Sequence, residues 1–186
     1  MGAFASPMMA NLRRTEMHSW RAELKILLRF LILLCLILWL GGILFFIPLA
    51  KIAFSTLPDK ATAGLMVRDC LLTLHTEGMI AGVLLLVLLA AATATRAYGR
   101  KLATAGLFCC TLAMLALTVF SQYHVIPRME QDRLAVGGDI DKAPAEDPHR
   151  LDFNQLHAAS VGLEEGVLVA GVLMAFLLAR ETRQPR

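Results

Sequence analysis

The chain has 186 residues, 57% hydrophobic and 18% charged, with a net charge of +3 and a mean hydropathy of +0.62. Soluble domains sit nearer about 45–50% apolar and about 25% charged. The composition excludes a disordered chain, a nucleic-acid-binding arm and an ordinary soluble enzyme, and it points to a multi-span membrane protein.

In chain order, apolar blocks fall at about 27–50, 71–95, 102–127 and 154–179. Each exceeds the roughly 20 residues a helix needs to cross the hydrocarbon layer. Of 18 basic and 15 acidic residues, only Arg29, Glu77, Glu164 and Glu165 lie inside the blocks. A bilayer imposes that contrast, because a charge or an unpaired peptide group is costly at its centre. Strands of a membrane barrel would alternate apolar and polar residues, and the run from Val83 to Leu89 does not. The fold class expected is all-α: an integral membrane four-helix bundle, antiparallel and up-down.

The first block is too long for a cleaved signal peptide and no small-x-small site follows it closely, so it reads as a retained anchor. Residues 1–26 read as a cytoplasmic N-terminal tail, loose over 1–12. Residues 16–29, with Trp20, Leu24, Ile26 and Leu27 among charges, suit an interfacial helix. The four-span domain covers 27–179, and 180–186 form a C-terminal cytoplasmic tail. Asp59 before Lys60 is a capping signal, so the second helix is expected to start near residue 60. Pro127 is expected to end the third helix. The segment 128–153 is the longest connection, with Gly137-Gly138 and Pro148 as loop punctuation.

Lys and Arg set the orientation. The N-terminal region, the connection near 96–101 and the C-terminal tail hold eleven of them, against seven in the other two connections. Both termini are therefore expected in the cytoplasm, with a plasma membrane, the inner membrane of a bacterium, as the location. The bilayer then accounts for the basic flanks and no nucleic-acid partner is needed.

Polar residues in the spans mark where chemistry could live. His75 and Glu77 lie early in the second helix, and His157, Ser160, Glu164 and Glu165 lie in the fourth. At 100° per residue, His157, Ser160 and Glu164 form one stripe and Glu165 lies beside it. That stripe can line a groove running into the membrane. His75 and Glu77 point to nearly opposite sides. In the third helix Thr111, Thr118 and Gln122 share a stripe expected to face inward, and His124 lies roughly opposite it. An acidic residue at mid-membrane costs roughly 2.5–3.5 kcal/mol, so Glu164 and Glu165 carry the strongest signal. Gly78-x-x-x-Gly82 and Gly162-x-x-x-Gly166 are close-packing motifs and would serve helix contacts or a homo-oligomer. The four cysteines lack Cys-x-x-Cys spacing and read as small packed residues.

Further motifs add a family likeness. Trp39-Leu40-Gly41-Gly42, Phe45-Phe46, Ala50, Phe54, Leu57 and Ala63-Gly64 resemble the opening of the transmembrane protein 205-like family, also catalogued as domain-of-unknown-function family 4149. Tyr123 to Met129 is similar to the end of its third helix, and Phe153-x-x-Leu156-His157-x-x-Ser160 to the start of its last. The resemblance implies a four-span membrane protein without an agreed activity.

The function expected is a small transporter or membrane-resident binder of a small ion or solute, with His157, Ser160 and Glu164 along its path and His75 contributing. The first alternative is a redox protein holding a metal or non-covalent haem through His75 and His157. The second is a structural or assembly protein without a ligand. No nucleophile triad, phosphate-cradling loop or zinc spacing is present, so an enzyme is not expected.

Overall fold

The computed structural model describes residues 7–98 and 101–181, with side chains over 19–98 and 104–180. The helices are α1 (Pro7–Thr56), α2 (Lys60–Ala94), α3 (Lys101–Phe120), α4 (Ile126–Ala135) and α5 (Pro148–Glu181). A single π turn, Ser121–Val125, joins α3 to α4 without a break, and a short 3-10 turn, Ile140–Lys142, lies in the last connection. Four stretches are long and apolar enough to cross a membrane: Ser19–Thr56, Lys60–Ala94, Thr104–Ala135 and Pro148–Arg180.

The helices exceed the blocks read from sequence. No interfacial segment is set off from the first span, because α1 contains no Gly or Pro between Pro7 and Gly41 and runs on unbroken. Helix therefore occupies much of the tail expected over 1–26; residues 1–6 of that tail and 182–186 of the C-terminal one lie outside the described residues. Pro48 does not end α1 either. Lys60 does begin α2. Asp59 is extended and its carboxylate accepts from the Thr62 N–H at 2.7 Å and the Thr62 hydroxyl at 2.8 Å. The bond from the Thr62 amide holds the Asp59 carboxyl below its ordinary range.

Pro127 does not end the third helix. Proline has no N–H and crowds the carbonyl four residues back. The π turn widens the coil just before it, with the Ile126 N–H bonding to the Ser121 carbonyl five residues back, so Pro127 falls in the first turn of a new α segment. The last helix starts at Pro148, six residues earlier than the apolar block, because Asp147 accepts from the His149 N–H at 2.9 Å as a helix cap does.

The core is a stripe from each span. Ile32, Leu36, Trp39 and Ile43 of α1 meet Leu85, Leu89 and Ala92 of α2, Leu107 and Met114 of α3, and Val167, Met174 and Leu178 of α5. Their three- and four-residue spacing is the period of a helix face. The opposite faces expose Ile37, Leu38, Phe45, Val87, Leu112 and Val169, surfaces that lipid covers at no hydrophobic cost. Arg29, the one charge of the first block, donates through Nε to the Ala97 carbonyl at 3.0 Å and lies over the Tyr98 ring.

Glycines let the helices close. A Cβ on Gly78 would lie 2.5 Å from Trp39 Nε1, and one on Gly82 would lie 2.4 Å from Leu115 Cδ2. Gly166 touches Leu117. A Cβ on Gly162 would meet no described residue within 4 Å, so no close approach within the described residues requires a glycine there. Its face points away from the core.

Candidate functional site

One groove of about 690 Å³ lies among α1, α2, α4, α5 and the loop before α5. Lys60 at the start of α2 reaches Asp141 in that loop at 3.5 Å, so the two connections sit together at the groove's mouth. The wall contributed by α1 is wholly apolar: Ile43, Phe46, Ile47, Ala50 and Phe54. The α5 wall carries the stripe read from sequence. His157, Ser160, Glu164 and Glu165 all line the groove.

Glu164 is the link to the interior. Its Oε1 lies 2.6 Å from Nε2 of His75, whose ring is 1% exposed. Nδ1 of His75 lies 3.0 Å from Oε1 of Gln122 in the π turn. With the Gln122 amide oxygen placed toward the ring, it accepts, and Nδ1 carries hydrogen. Nε2 and the Glu164 carboxyl then hold one proton between them. A hydrogen bond of this length belongs to the charge-assisted class and offsets much of the cost of a carboxyl at membrane depth. The chemistry available is proton donation and acceptance at a wall facing a groove.

The other expected residues separate. Ser160 is 5% exposed and its hydroxyl bonds to no described residue. Glu165 is exposed at the groove's edge and makes no ion pair with any described residue. His157 is exposed and stacked on Phe153, ring centroids 6.4 Å apart. Glu77 does not join them. It is exposed on the far side of α2, lining a separate groove of about 450 Å³ with Asp69, Cys70 and Thr73. The reason is angular: two residues along a helix turn the side chain by 200°. His124 is exposed and stacks on Phe120.

The pair suggested for haem or metal does not fit. Both ring nitrogens of His75 are engaged, with Gln122 and with Glu164, so the ring offers no free lone pair to a metal. Among the described residues no three His, Cys, Asp or Glu converge in a way that could hold an ion.

Sequence reasoning placed Gln122 on an inward stripe but did not join it to His75. It also missed the groove's mouth. There Arg133 donates to both oxygens of Glu130, at 2.7 and 2.9 Å, and to the Gly138 carbonyl at 2.8 Å. Arg68 of α2 lies 3.7 Å from the same carboxylate. The i,i+3 spacing of Glu130 and Arg133 was the available signal.

Four long apolar helices around a polar-floored groove define an integral membrane protein of the all-helical class. The chain belongs to the domain of unknown function family DUF4149, whose model matches residues 34–134. His75 and Gln122 lie inside the match; Ser160, Glu164 and Glu165 lie beyond it. No curated protein and no solved structure matches the chain.

Proposed function

We propose that this protein is a membrane-resident binder or small transporter, with the groove between α1/α2 and α4/α5 as its solute site. In this reading the four spans form an antiparallel bundle in a plasma membrane, the inner membrane in a bacterial cell. Both termini are cytoplasmic and the groove opens on the other side. The Lys and Arg distribution supports that orientation. The motifs at Trp39 and Phe153 support a place within the transmembrane protein 205-like group. The open face at Gly162 is where a second copy would pack.

One observation carries the functional reading: a carboxyl hydrogen-bonded to a buried imidazole faces a groove of ligand size whose α1 wall is wholly apolar. A purely structural polar clasp needs no groove beside it. The test is a panel of small solutes screened for thermal stabilisation of the purified full chain. Gly64 lines the groove and its Cβ position is open, so Gly64→Trp fills the space without a backbone clash. Solutes that stabilise the wild type and not Gly64→Trp are the expected result. A ligand-free structural role is indicated instead if no solute acts, or if the filled variant responds equally.

A further inference from the structure

Charge is unevenly matched along the groove. At the mouth every wall cation sits against an acid: Lys60 on Asp141, Arg133 on Glu130, and Arg68 on Asp69 and Glu130. Asp139 is paired with Lys142 at 3.1 Å. Further in, Glu165 has no partner among the described residues, and Glu164 has only the imidazole of His75. No cation faces them from α1, which contributes apolar side chains alone.

Two carboxyls do not by themselves make a site. Ser160 is an independent sign. It is 95% buried, by its 5% exposure, lines the same wall, and its hydroxyl has no hydrogen-bond partner among the described residues. Its oxygen is not among the sealed-off polar atoms without a partner, so it opens on the groove and is free to bond what enters there. A group that pairs with this wall must bring positive charge to the carboxyls. It must also tolerate walls of Ile43, Phe46, Leu71, Ile126 and Leu168. A compact, strongly hydrated ammonium loses several kcal/mol on entering such a place. A cation whose charge is spread over, or shielded by, apolar groups loses far less.

We infer that the groove takes a lipophilic organic monocation, bound in exchange for the proton shared by Glu164 and His75. This rests on the reading of the groove as a solute site. The balance is one charge in and one charge out. The incoming cation sits against the Glu164 carboxylate, and the proton leaves the Oε1–Nε2 hydrogen bond for water in the groove. His75 stays in place as a neutral ring, its Nδ1–H still donating to Gln122. Glu164 touches His75 of α2, itself bonded to Gln122 of the π turn. The other titratable or charged groups lining the groove are Lys60 and Arg68 of α2, Glu130 and Arg133 of α4, Asp139 and Asp141 of the loop before α5, and His157 and Glu165 of α5. Competition with the proton makes affinity fall as pH falls, by about tenfold per unit while one proton is exchanged.

Tetraphenylphosphonium and tetraphenylborate share a shape and differ in sign, which makes them suitable probes. Binding of each is measured on the full chain in lipid nanodiscs, with Gly64→Trp giving the background from partition into lipid. Saturable phosphonium binding that weakens with acid is expected, with no saturable borate binding. Glu164→Gln is expected to weaken phosphonium binding on the order of 30-fold and to abolish its pH dependence, whereas His157→Gln keeps that dependence. If Glu164→Gln does not fold, Glu165→Gln and Ser160→Ala carry the test. Each should weaken binding severalfold, and unchanged affinity in both contradicts the inference. Borate binding as tight as phosphonium, or phosphonium binding indifferent to pH, overturns it. If neither ion binds while panel solutes still distinguish wild type from Gly64→Trp, the cation assignment fails and the groove reading stands. If the panel is also silent, both fail.

Discussion

His75 is the residue on which the site turns, since a fully buried imidazole with two side-chain partners ties α2 to the π turn and to α5. Replacing it by alanine strands Gln122 and Glu164 without partners, and a loss of about 3 kcal/mol is expected. Glu164→Gln leaves an amide that can still bond the ring, so its loss should be clearly smaller. Glu77→Gln, on an exposed side chain, should stay within about 0.5 kcal/mol of wild type. Reversible unfolding in mixed micelles orders the three, and equal losses would contradict the placement. Glu164 was legible in the sequence because a carboxyl deep in an apolar block is expensive. The separation of His75 from Glu77 followed from helical angles. The bond from His75 to Glu164 did not, since it depends on how two helices distant in sequence are turned toward each other.

At the scale of elements, the departures from the sequence reading come from local backbone geometry. Proline ordinarily stops a helix, and nothing in Tyr123 to Met129 announced the wide turn that lets the rod continue. A proline inside a regular helix costs roughly 3 kcal/mol. Here the π turn has already removed the conflict, so Pro127→Ala is expected to change stability by less than about 1 kcal/mol. Thermal melts followed by circular dichroism decide this, and a gain near the full value would mean that the turn is strained. The two glycine motifs read alike in sequence and differ in the fold. Gly78→Ala drives a Cβ into Trp39 and should cost about 1–3 kcal/mol. Gly162→Ala meets open space and should gain up to about 1 kcal/mol from helix propensity. A loss of self-association in Gly162→Ala, read by crosslinking, would place a second copy on that face.

For the whole molecule, four spans and an all-helical class were legible because a bilayer sorts charge from apolar length so strictly. The groove was not, since it is the space left where α1 and α2 diverge from α4 and α5, and no single helix pattern encodes a gap. Its polar floor and apolar walls are the basis of the functional account, and water must reach Ser160 for that account to hold. The direct measurement is modification of Ser160→Cys, with the four native cysteines replaced, by a membrane-impermeant thiol reagent added from either side. Reaction is expected from the side opposite the termini, and not when Gly64→Trp is also present. A thiol that reacts from neither side, or that reacts as fast in the filled groove, would contradict a water-accessible binding groove ending at Glu164.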